Sequence, residues 1–146
     1  MKILDNNALN YIHKNSVRIE EDFVITTDIQ DEFESGFDVD LPSSVRDITK
    51  EEGFNNAVYI RHYKEMLNKY GGRSFYNMSG IGDISILALL KTQKEISVSQ
   101  FPTMIDGCTV VVRDRKLENK IKAEFADASN AFDSKIELIK PEIYFK

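Results

Sequence analysis

Residues 108–125 read CTVVVRDRKLENKIKAEF, and the two halves of this stretch follow different rules. Cys108 to Val112 is an apolar run rich in β-branched residues, which suits a strand buried in the centre of a sheet. From Asp114 onward the period changes, and Leu117, Ile121 and Phe125 recur every four residues, the spacing of one buried helix face. A strand that runs directly into a helix is half of a βαβ unit, and such units build parallel sheets.

The same order recurs upstream. Lys2 to Leu4 reads as a short buried strand, and Ala8, Leu9, Ile12 and His13 follow at helix spacing to near Asn15. Phe23 to Ile25 is predicted as a second strand. It leads into a helix capped by Thr26 or Thr27, with Ile29 and Phe33 on one face and Gly36 at its end. Residues 37–53 have no strong period and contain Pro42, so they are expected to form a loop or a short irregular helix. Val58, Tyr59, His62, Tyr63, Met66, Leu67 and Tyr70 predict a long helix stopped by Gly71-Gly72. SGIGDISILALLKTQ (79–93) predicts another, apolar over a wide surface. KIELI (135–139) and EIYF (142–145) read as strands on either side of Pro141. The expectation is a single α/β domain over residues 1–146, a three-layer sandwich with a central, mainly parallel sheet flanked by helices.

The 146 residues are 42% hydrophobic and 29% charged, a composition that folds around one core. The net charge of −5 argues against a protein that coats nucleic acid non-specifically, but not against an enzyme acting on it. One cysteine, Cys108, rules out an intramolecular disulfide and fits a reducing compartment. No apolar stretch approaches the roughly 18 residues of a membrane span. MKILDNNAL has a single lysine and then an acid, unlike a signal peptide, so a cytoplasmic protein is expected.

The acids carry the chemistry. Asp5 ends the first strand, Asp114 follows CTVVV, and Asp83 opens the most apolar helix. In open parallel sheets ligands bind beyond the carboxyl ends of the strands, so strand-end acids point to one edge. The second helix adds Asp28, Asp31, Glu32 and Glu34, of which Glu32 lies next to inward-facing Phe33 and can reach the same rim. Gathered carboxylates raise one another's pKa unless a cation neutralises them. Mg²⁺ and Mn²⁺ take such oxygen ligands, and two of them can drive phosphodiester hydrolysis. Each acid also has a plainer reading. Asp5 and Asp114 suit helix N-caps, and Asp83 is a favourable anion at a helix start that Ser79 could cap.

ILDNNAL, VITTDIQDEF, GIGDISILAL and VVVRDRKL, in this order, resemble the acidic motifs of PIN-domain nucleases, and the chain length is similar to that of the VapC toxins. The resemblance implies Asp5, Glu32, Asp83 and Asp114 as catalytic and metal ligands, with Gly80-Ile81-Gly82-Asp83 as the G-x-x-D element. It further implies an Mg²⁺- or Mn²⁺-dependent ribonuclease with an RNA substrate, a protein antitoxin partner and a homodimer. Asn6 stands where Thr or Ser is common in the family, and Arg113 where a small hydroxyl residue is frequent. With Arg115 and Lys116 these are the expected RNA-binding residues. Arg113 leaves three outcomes open: it binds the scissile phosphate, fills the metal pocket, or points away.

If Arg113 fills the pocket, the chain is a catalytically degenerate PIN-like module that binds RNA or protein. A receiver-type phosphotransfer domain would show paired acids after its first strand, where ILDNN supplies one. His13 and His62 are expected to be packed or partly exposed histidines and not catalytic bases, and Cys108 a core residue. Tyr59, Tyr63, Tyr70, Phe75 and Tyr76 are read as core or interface before base stacking, and Lys120 and Lys122 as a solvated helix face before phosphate contacts.

Overall fold

The structure is a computed structural model, and it describes residues 1–37, 39–71, 80–100 and 107–146. Five parallel strands form one sheet in the order β3-β2-β1-β4-β5. Along the chain the elements are β1 (Lys2–Leu4), α1 (Asn6–Lys14), β2 (Phe23–Ile25), α2 (Thr27–Phe37) and β3 (Val45–Asp47). After these come α3 (Asn56–Tyr70), α4 (Ile81–Gln100), β4 (Cys108–Val111), α5 (Arg115–Glu124), β5 (Ile136–Ile139) and α6 (Pro141–Tyr144).

The strand order steps one way from β1 to β3 and the other way from β1 through β4 to β5. Right-handed crossovers therefore send the two sets of helices to opposite faces. The packing follows this division, with α1 against α2 and α6 and α4 against α3 and α5, except that α2 also meets α4. This is the expected three-layer α/β sandwich, with every strand pair parallel.

Burial follows from position. Ile3, Leu4, Phe23, Val24, Ile25, Val110 and Val111 are at most 4% exposed because β2, β1 and β4 have a helical layer on each face. Cys108 is buried in β4, as expected. In α4 every residue from Ile84 to Leu90 is buried, so this helix is apolar all round and works as a core element. Among the described residues, no helix is long and apolar enough to cross a membrane.

The sequence reading departs from the structure in four places. Residues 37–53 contain a strand, β3, followed by a 3-10 turn at Ile48–Lys50. This strand has three residues at the sheet edge, with only Val45 and Asp47 buried, too short to show a period. EIYF is not a strand: Pro141 opens the short helix α6, its fixed φ suiting a first helical position. The α2 helix runs through Gly36 to Phe37, and α4 continues to Gln100, beyond the stretch that announced it. Gly72, Phe75, Tyr76 and Ser79 lie outside the described residues.

The two histidines differ. His13 is exposed and meets Phe33 edge-on and Phe37 at a tilt. His62 is buried on α3, between Glu65 at 3.6 Å and Glu95 of α4 at 3.5 Å. Tyr59 and Tyr63 continue a ring row from Phe54 and pack against the core.

Candidate metal centre

Register sets the site. Leu4 of β1 pairs with Val111 of β4, so the chain leaves both strands at the same level. These two neighbours depart in opposite directions, toward α1 and α5, which opens a crevice at the carboxyl ends of the strands. Asp5 stands at its edge, 3% exposed. One carboxylate oxygen accepts the Ala8 N–H at 2.7 Å and caps α1; the other accepts the Arg113 N–H at 3.4 Å. Asp5 is thus both the cap and a strand-end carboxylate. Each oxygen has a second lone pair, so capping leaves acceptor capacity. Burial pushes its carboxyl up to about 6, against those two donors, and the charges of Asp83 and Asp114 push the same way.

Asp83 enters from the first turn of α4. Its carboxyl is raised by burial and by Asp114, with Lys120 opposing. Two glycines prepare this turn for different reasons. Gly80 has φ +86°, a backbone region that L side chains rarely adopt. Gly82 leaves room for two side-chain ends: a Cβ there would lie 2.9 Å from Glu32 Oε1 and from Ile29 Cδ1, and both would have to shift. The Glu32 carboxylate rests against Gly82; burial raises its carboxyl and Asp83 adds to the rise, with the Gly82 N–H opposing. Beneath this seat Thr26 and Ser85, both fully buried, share a 2.7 Å hydrogen bond, and Ser85 donates to the Gly82 carbonyl. The pair fastens the end of β2 to the first turn of α4. Neither Gly82 as a seat nor this hydroxyl pair was read from the sequence, because both depend on α4 meeting α2.

The structure separates the four acids of α2. Glu32 faces Asp83. Burial raises the Asp28 carboxyl, as do Asp31 and Asp47, with the nearby Tyr63 hydroxyl opposing. Glu34 accepts from Gln30 at 2.9 Å, and Asp31 is exposed. Thr26, not Thr27, caps the helix through the Ile29 N–H.

Asp114 caps α5 through the Lys116 N–H at 2.8 Å, and its charge is felt by both Asp5 and Asp83. Asp83 is thus the electrostatic link: its charge acts on Asp5 and on Glu32, and Asp114 acts on both Asp5 and Asp83.

The basic residues divide. Arg113 points away: its guanidinium pairs with Glu142 of α6 at 3.2 Å and lies over the Tyr11 ring at 5.6 Å. Only its backbone N–H serves the acids. Lys122 pairs with Glu118, and Arg115 is exposed. Lys116 acts on Asp83 through charge, whereas Lys120 reaches Asp83 Oδ2 at 3.6 Å. Asn6, at the start of α1, has its side-chain Oδ1 buried with no hydrogen-bond partner among the described residues.

The donor set suits a hard divalent cation: it is carboxylate oxygen throughout, and three of its members are raised by burial and by one another. Among the described residues no group of three or more His, Cys, Asp or Glu side chains is placed to hold a metal ion together. Mg²⁺ and Mn²⁺ keep several waters and need only one or two carboxylates at a time. No protein-family model matches the chain, and neither does any curated protein or solved structure.

Proposed function

We propose that this chain is a divalent-metal-dependent ribonuclease of the PIN-domain kind. The observation that supports the reading is the coupling of Asp83 to Asp5, Glu32 and Asp114 beyond the carboxyl ends of β1 and β4, where burial, helped by neighbouring acids, raises Asp5, Glu32 and Asp83. Capping one helix would not require four acids from four segments.

In this reading Asp5, Asp83 and Asp114 hold Mg²⁺ or Mn²⁺, and Glu32 completes the set from α2. When bound, the cation supplies a Lewis acid that activates water and stabilises charge on the leaving oxygen of the phosphodiester. The chain supplies position. Asp5 is fixed by two backbone donors, and the Thr26–Ser85 pair holds the turn that presents Asp83. Lys116 and Arg115, at the start of α5, lie where they can orient the phosphate backbone beside those carboxylates. The degenerate alternative required Arg113 in the pocket, and its pairing with Glu142 removes that argument. By resemblance to VapC toxins the chain would act as a homodimer, restrained by a protein antitoxin, in the reducing cytoplasm.

The test is cleavage of single-stranded and structured RNA in Mn²⁺ and in EDTA by the native chain and by Asp83→Asn. We expect cleavage in Mn²⁺ only, lost in the variant while its thermal melt stays cooperative. Cleavage undiminished by Asp83→Asn would remove this site from the reaction.

A further inference from the structure

Lys120 sits one and a half turns into α5, four residues beyond Lys116 on the same helix face. Long helical side chains lean toward the helix N-terminus, so this lysine reaches back to the rim where Asp114 caps α5. Its ammonium stands 3.6 Å from Asp83 Oδ2, with both side chains mostly buried (25% and 19% exposed). On its other side lies the ring of Tyr70, 5.6 Å from Nζ to the centroid. Among the described residues, no other cation is in ion-pair contact with any of Asp5, Glu32, Asp83 or Asp114.

We propose that Lys120 is the internal counter-cation of the acid cluster: it occupies Asp83 until a divalent ion displaces it, and the released ammonium then binds the phosphate of the RNA strand. The proposal rests on the metal-site reading above. A divalent ion on Asp83 and an ammonium on the same carboxylate repel each other, and the ion carries twice the charge on a smaller body. The existing contact is long for a hydrogen bond, so it is an exchangeable ion pair. The Tyr70 ring face attracts a cation and gives the freed ammonium a second resting place at the rim. Metal binding would thereby prepare the phosphate site, coupling the two ligands in a fixed order.

The experiment uses free Mn²⁺, followed by its electron paramagnetic resonance signal, and a short single-stranded RNA whose binding is measured in Ca²⁺ and in EDTA. Lys120→Met is expected to bind Mn²⁺ roughly five-fold more tightly than the native chain, the worth of a partly screened ion pair. Lys116→Met, which removes an equal charge without a contact, should tighten it by less than about two-fold. Lys120→Arg keeps the charge and should stay near the native value. In Ca²⁺, Lys120→Met should bind the RNA several-fold more weakly, and in EDTA it should match the native chain, because there the lysine is engaged with Asp83. Lys120→Met binding Mn²⁺ no more tightly than Lys116→Met, or losing RNA affinity equally in EDTA, would overturn the proposal. A native chain that binds no Mn²⁺ would instead overturn the metal site, and this role with it.

Discussion

Replacing Asp5 by asparagine separates a helix cap from a buried charge, because asparagine caps as well as aspartate but carries no charge. The Asp5 carboxyl is raised from 3.8 to about 6 in the folded chain, mainly by burial. A carboxyl raised on folding leaves stability intact below its unfolded pKa and removes it as pH rises through the folded value. The full cost of the shift, about 2.2 pKa units, is about 3 kcal/mol at pH 7. About 1.3 kcal/mol of that is lost between pH 5 and 7, which is about 3–5 °C in Tm for a chain of this size. Asp5→Asn keeps an oxygen for the Ala8 N–H and removes the charge. In EDTA the variant is expected to melt higher than the native chain at pH 7, and the Asp5 part of the decline from pH 5 to 7 should vanish. The assay is thermal denaturation by circular dichroism at half-unit pH steps. If Asp5→Asn melts no higher than the native chain at pH 7, and the decline with pH is unchanged, the buried-charge argument is refuted.

Gly82→Ala would place a methyl group 2.9 Å from Glu32 Oε1 and Ile29 Cδ1; a loss of about 1–3 kcal/mol in urea unfolding is expected, with weaker Mn²⁺ binding as Glu32 is pushed aside. Arg113→Ala should leave Mn²⁺ affinity unchanged, since the guanidinium is held by Glu142 and Tyr11; a several-fold change in titration would mean that it reaches the acids. At Glu124 burial works against ionisation, but Lys69, Tyr70 and Lys91 outweigh it and hold the carboxyl down to about 2. Glu124→Gln should cost roughly 2–3 kcal/mol at pH 7 in urea unfolding. That difference belongs to the ionised form, so it should shrink as pH falls below about 4.5 toward 2.

The parts of this molecule that were legible in the sequence are those written in local patterns. An apolar run that stops at an acid marks the end of a buried strand, which is how β1 with Asp5 and β4 with Asp114 could be placed before any contact was known. The α4 helix announced itself by its apolar length. The edge strand β3 did not, because three residues with an arginine in the middle have no period to read. EIYF has strand-like composition, yet Pro141 and the end of the sheet at β5 turn it into a helix. Within the site, sequence spacing brought Glu32 near the rim but could not exclude Asp28, whose tie to Tyr63 comes from α3, distant in the chain. The direction of Arg113 was equally hidden. It lies beyond the last strand residue, where alternation no longer dictates which way a side chain points, and its partner Glu142 comes from the far end of the chain.

A titration of Mn²⁺ against the native chain and Asp83→Asn at pH 7, read from the resonance of the free ion, bears most directly on the claim that four acids form one cation site. The account predicts one or two ions bound by the native chain, competed by Mg²⁺, and binding at least ten-fold weaker in Asp83→Asn while its fold is kept. Equal binding by the two proteins, or none by either, would contradict it.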